Sequence, residues 1–284
     1  MPKFLSLTVF SLTLIYVQPL GAEPQRTPVT EQIIFYVDPV KGDDENPCIS
    51  DAQPCKTMQA AYEKMNKNYD FHGFDARMHL ADGDYTSGLI ISGHLVGAVH
   101  MQVVGNCENP QAVNVNPGED GTAFTAEYGG KLRVACVQVS GSGATGFLSR
   151  TTGVLQMNFR SGDTVVFGDM PGGSGVTAAD GGIVNISGTL VISGNTAVHW
   201  DVSSISQITV EPGTTYSIAD TYAIDYFLNA TLNSVVSLGE NVTFGGADPN
   251  GQKYNVTSGS RLSLNENVLP GTIPGTVDDK GQVF

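Results

Sequence analysis

The chain has 284 residues, 40% of them apolar and only 15% charged, with 34 glycines and a formal net charge of −14. That length suits one large β domain or two ordinary ones, and the acidic balance argues against nucleic acid and anionic membrane surfaces as partners, because like charges repel. Low charge with abundant Gly, Thr, Ser, Val and Asn suits short strands and tight turns rather than helices.

In chain order, residues 1–22 read as a secretory signal peptide. Lys3 gives a positive start, Phe4 to Val17 carry no charge, and Gly21-Ala22 precede a plausible cleavage point. The apolar run is too short to span a bilayer comfortably. The expected location is secreted, periplasmic or on the cell surface, with no membrane insertion after cleavage. Residues 23–34 read as a linker. Residues 35–70 hold a strand around "FYVD", a turn-rich acidic loop and a helix. Met58, Ala61, Tyr62 and Met65 fall at i, i+3, i+4 and i+7, which makes one apolar helical face. Pro54 stands ahead of that helix and Thr57 is its candidate N-cap.

Residues 71–245 read as coils. From about residue 122 the chain repeats a small-residue turn followed by alternating apolar strands closed by Gly, Asn or Asp. Phe124, Phe147, Val176, Val198 and Ile224 are the expected equivalents, roughly 20–30 residues apart, the length of one β-solenoid coil. Such a strand cannot bury its apolar side alone, but stacking on its equivalent one coil earlier creates a continuous core. The absence of helical patterns between strands rules out an α/β arrangement. The fold class expected is therefore all-β: a parallel β-solenoid whose open N-terminal end is covered by the helix. Residues 246–284 read as an irregular C-terminal tail.

Four cysteines follow the apolar start, and an even count favours disulfides. Four cysteines allow three connectivities, and Cys48–Cys55 with Cys107–Cys136 is the favoured one. No Cys/His spacing suits zinc.

The stretch "YVDPVKGDDENPCISDAQPCKTMQAAYEKM" resembles the N-terminal segment of right-handed parallel β-helix proteins of the pectin-lyase-like class. The residues that carry the resemblance are Tyr36, Val37, Gly42, Asp44, Pro54, Lys56, Thr57, Met58, Gln59 and Ala61, followed by Gly83 and Tyr85. The ending "TFGGADPNGQKYNV…LPGTIPG" looks like that of phage tailspike-like or secreted bacterial chains. The resemblance implies that the solenoid is a right-handed parallel β-helix. It also implies a rigid surface module that binds a polysaccharide or cell-surface glycan, and a homotrimer as its assembly. The catalytic strings of the lyases, methylesterases and polygalacturonases in that class are absent. The alternatives are a polysaccharide lyase or glycoside hydrolase acting on an acidic glycan, and a purely structural protein.

Two sets of residues are candidates for chemistry. In the acidic loop, Asp43, Asp44 and Glu45 offer oxygens to Ca2+, but they lack the spacing of a calcium-binding loop and read first as a turn. On the coils, alternation places Trp200 and Tyr226 inward and in register, with His199 and Asp225 as outward neighbours and Asp201 further along. Glu127 and Arg150 face one another on earlier coils. The functional reading is an acid/base or sugar-binding patch of Arg150, His199, Asp201 and Asp225, with Trp200 as a stacking platform if the phase is off by one residue, and Trp200, Tyr226 and Arg150 as the ligand-binding candidates. The plain reading is an aromatic core with surface ion pairs.

Overall fold

The structure is a computed structural model that describes residues 26–219 and 222–284. The expected signal peptide lies outside the described residues. The rest forms an all-β parallel solenoid of about seven turns, of the right-handed β-helix class. Three long sheets of ten, seven and eight strands run along it, and a fourth has two strands. Every paired strand is parallel to its neighbour.

The ten-stranded sheet shows how the core is built. Phe35, Met78, Val103, Val134, Met157, Ile186, Val210 and Leu238 each pair with the next, one residue per coil. All eight side chains are buried, and burial of each is worth roughly 1.5–3 kcal/mol. The same strands send Arg77, Gln102, Arg133 and Gln156 to the outer face in one row, as the two-residue period of a strand requires.

The helix Met58–Asn68 buries Met58, Ala61, Tyr62 and Met65, the predicted face. It covers the first coil and also satisfies that coil's unpaired strand edge. The amide of Ile90 donates to Gln59 Oε1 (3.0 Å), and the amide of Ser92 donates to the Tyr62 hydroxyl (3.2 Å). Thr57 caps the helix, its Oγ1 accepting from the Ala60 amide (3.2 Å). Both expected disulfides form, Cys48–Cys55 and Cys107–Cys136. The first holds a loop whose Cys55 bridges Val37 in parallel, so the loop continues the stack above the first strand.

Two expectations about boundaries need correction. Thr27–Pro28, within the expected linker, pairs with Tyr69–Asp70. The expected tail is largely coil: Asn250–Val256 pairs with Ala223–Ala230, Arg261–Ser263 with Val235–Leu238, and Gln282–Val283 with Arg261–Ser263.

The register of the eight-stranded sheet also differs. Phe124, Phe147 and Val176 are equivalent as expected, but Trp200 and Leu228 follow them in the column, not Val198 and Ile224. Val198 pairs with Ser174 and Tyr226 instead. Irregular register between Met170 and Ser174, and between Ala223 and Tyr226, adds residues that no sequence period announces.

Between this sheet and the ten-stranded one, six successive coils turn through two consecutive left-handed residues. Tyr128-Gly129, Thr151-Thr152, Asp180-Gly181, Ser204-Ile205, Leu232-Asn233 and Ser258-Gly259 occupy the corner. A carbonyl-to-amide bond closes it, as from the Gly182 amide to the Ala179 carbonyl (2.9 Å). Gly and Asn tolerate this conformation, whereas a β-branched residue strains. Ile205 holds φ at 63° while 77% exposed, so it is strained without core burial in return. Ile205→Asn, which copies Asn233 one coil later, is expected to raise unfolding free energy by about 1 kcal/mol. Denaturant titration that shows a loss instead would mean that the Ile205 side chain makes a stabilising contact.

Candidate functional site

The acidic loop uses its carboxylates locally. Asp44 Oδ1 accepts from the amides of Lys56 (2.9 Å) and Thr57 (2.8 Å), and its Oδ2 accepts from Thr57 Oγ1 (3.0 Å). Lys64 Nζ donates to the Asp44 carbonyl (2.6 Å). Asp43 Oδ1 accepts from the Glu45 amide (3.0 Å), closing a turn, and Glu45 is exposed. These contacts tie the loop to the start of the capping helix and match the turn reading. The disulfide sulfurs of Cys107 and Cys136 lie beside Asp163, but sulfurs bonded to each other have no thiolate to offer a metal.

The coil candidates separate into interior and exterior groups. His199 is fully buried, which corrects its expected outward position. Its column is Ala123, Gly146, Gly175, His199 and Phe227, the residues that precede Phe124, Phe147, Val176, Trp200 and Leu228; both columns are buried. Two successive inward side chains interrupt the alternation of the pleat. The imidazole occupies the space left by Gly175, where a Cβ would lie 2.7 Å from Nδ1. Phe167 and Phe227 flank it, with centroids at 4.8 and 4.9 Å. Neither ring nitrogen has a hydrogen-bond partner, and burial lowers the His199 pKa to about 3. Trp200 is equally buried, at 5.7 Å from the Tyr216 ring and 4.9 Å from Phe227. Neither residue reaches solvent, so His199 is no surface acid or base and Trp200 no stacking platform. Tyr226 is half-buried on the outside and out of register with Trp200, contrary to expectation.

The outer face of the eight-stranded sheet holds what remains. Arg150 pairs with Glu127 (Nη2 to Oε2, 2.7 Å), as expected. Asp201, Asn229, Asn255 and Thr276 form one outward row by register. Asn229 Nδ2 donates to Asp201 Oδ1 (2.9 Å), Asn255 Nδ2 to Asn229 Oδ1 (3.0 Å), and Thr276 Oγ1 to Asn255 Oδ1 (3.1 Å). Partial burial raises the Asp201 pKa, and the bond from Asn229 opposes the rise. Tyr226 stands three residues before Asn229, and exposed Asp225 lies in the irregular stretch between Ala223 and Tyr226. His199 and Asp225 are therefore not neighbours. Arg150 pairs with Ala179 on the adjoining strand, in a different row from Asp201.

The row has a sequence signal that alternation arguments overlook. "DVS", "NAT" and "NVT" place Asp201, Asn229 and Asn255 before a buried residue and a hydroxyl. Asn229 and Asn255 also fit the glycosylation pattern, yet their Nδ2 atoms, the atoms a glycan would attach to, are committed to the row. A similar row on the seven-stranded sheet joins Asn114 to Asp84 (3.0 Å) and Gln138 to Asn114 (3.1 Å). Both rows satisfy polar side chains from coil to coil.

Among the described residues no helix is long and apolar enough to cross a membrane, and the two disulfides fit an oxidising compartment. Comparison with protein-family models, curated proteins and solved structures gives no match to this chain.

Two predictions follow from these geometries. Asp44→Ala is expected to cost about 1–2 kcal/mol through lost capping, equally in calcium and in chelator. A melting point of the parent protein that rises with added calcium would restore the metal reading. For His199, the unfolded ring titrates near 6.5 and the folded ring near 3. The unfolded state binds the extra proton between these values, so the contribution to stability is complete above 6.5 and lost as pH falls toward 3, by about 1.4 kcal/mol per unit. His199→Phe should flatten that slope in urea titrations at several pH values. An unchanged slope would place the acid sensitivity elsewhere.

Proposed function

We propose that this is an exported, non-catalytic β-helix module that presents a rigid outer face to carbohydrate, in the manner of the pectin-lyase-like and tailspike-like proteins it resembles. The observation that carries the reading is the row Asp201–Asn229–Asn255–Thr276 beside Tyr226. Successive rungs of a parallel sheet repeat every 4.7–4.9 Å or so. Each bond donated by an asparagine within the row uses one amide hydrogen, so the second hydrogen of Asn229 and Asn255 and the free oxygen of Asp201 are offered at regular intervals, and repeated sugar hydroxyls suit such an arrangement. Tyr226 adds a half-buried aromatic surface that gives area with little loss of side-chain freedom. A scaffold held by continuous ladders keeps these groups in place before binding, which lowers the entropy cost of association.

An enzymatic reading draws on one observation, the raised pKa of Asp201, which suits a general acid. Its nearest candidate partner, Asp225, is displaced by the bulge. The homotrimer implied by the resemblance belongs to the same proposal, and light scattering reads it directly.

A glycan array tests the binding. Signal is expected for the parent protein, with at least a tenfold loss in Tyr226→Ala and in Asn229→Ala. A blank array would leave a structural role. Release of reducing ends from an acidic polysaccharide, abolished in Asp201→Asn, would establish the enzyme instead.

A further inference from the structure

A different face gathers basic side chains. On the ten-stranded sheet, the register aligns Arg77, Gln102, Arg133 and Gln156 in one outward row. Lys131 stands two residues before Arg133 on the same side and is exposed. Arg160 approaches from the loop that follows, and the guanidinium carbons of Arg133 and Arg160 lie 5.9 and 5.2 Å from the centroid of the Phe159 ring. Arg133 Nε donates to Gln156 Oε1 (2.9 Å), which fixes its direction.

Four cations thus share one small area of a chain whose net charge is −14. Among the described residues, none of the four makes an ion pair. Arg77 Nε is buried without a hydrogen-bond partner. One carboxylate, Asp75, is bonded to the row itself through Gln102, and a second, Asp163, lies under the loop of Phe159 and Arg160. Asp75 accepts from Gln102 Nε2 (2.5 Å) and meets His100 Nδ1 (3.3 Å). Asp163 is 5% exposed and accepts from the amides of Phe159 and Arg160. Asp75 offsets part of this charge through Gln102, but the four cations themselves remain unpaired among the described residues. Like charges held together repel, and a bound anion lowers that cost.

We propose that this face binds an acidic polysaccharide. The planar fork of arginine pairs with carboxylate or sulfate through two parallel bonds, and Phe159 supplies an apolar surface for a sugar ring. The cations follow the rungs of the sheet, so a chain with acidic groups at intervals meets several of them. A nucleic acid presents denser charge, which the acidic remainder of the protein repels. This surface is separate from the Asp201–Thr276 row and does not depend on it.

The test is retention on immobilised heparin at low ionic strength, with elution by salt. The parent protein should bind. Lys131→Gln with Arg160→Gln should weaken binding at least tenfold, while Arg261→Gln with Lys280→Gln, an equal change in net charge at exposed positions near the C-terminal end of the stack, should leave it unchanged. Unaltered melting curves show that each double variant is folded. Tyr226→Ala should bind heparin normally, which keeps this result separate from the array. Competition with polygalacturonate and with dextran sulfate identifies the anionic group. Lack of retention, equal weakening in both double variants, competition by neither polymer, or stronger competition by duplex DNA would each overturn the proposal.

Discussion

The structure depends on parallel, in-register stacking of short strands. A strand such as Val154–Met157 has too few residues to enclose anything. Its Leu155 and Met157 are buried only because equivalent side chains lie on the coils before and after them. Each rung is therefore both core and template, and a stack of this kind is incomplete only at its ends. The capping helix answers that at the N-terminal end. Its apolar face covers the interior, and Gln59 and Tyr62 take up amides of Ile90 and Ser92 that would otherwise face outward unpaired.

The stack also explains where strain and polarity collect. Corners need left-handed backbone, and most coils supply Gly or Asn there, but Thr152 and Ile205 do not. Inside, the column that begins with Ala123, Gly146 and Gly175 opens into His199 and Phe227. The small residues leave room that the large ones fill, so a histidine enters the core without a polar partner. The imidazole remains neutral because a charge there would lack solvation. Outside, side chains that would each be isolated on a single strand satisfy one another from rung to rung, as Asp201, Asn229 and Asn255 do.

The two outer faces differ in character for the same geometric reason. Every coil adds one residue to each outward row, so the composition of a row sets the chemistry of a face. The eight-stranded sheet gathers amides and hydroxyls around Asp201. The ten-stranded sheet gathers guanidinium groups beside Phe159. A fold that holds its rows in register keeps the groups of each face at fixed intervals along the stack.

Much of this was legible in the residues alone. The helix face from Met58 to Met65, the cap at Thr57, the turn character of the acidic loop and the coil architecture follow from local periodicity, capping chemistry and composition, whereas the choice among three disulfide pairings was settled by the structure. The early rungs, Phe124, Phe147 and Val176, could also be aligned by eye. What tertiary structure alone decided was register beyond them. Bulges near Met170–Ser174 and Ala223–Tyr226 shift later strands, so Trp200 rather than Val198 continues the column. A break in the pleat turned His199 inward beside Trp200. Neither event has a local sequence cost that pattern counting can register, because a bulge is stabilised by the neighbouring coil. The basic row was hidden for a related reason: Arg77, Arg133 and Arg160 are distant in sequence, and only stacking places them together.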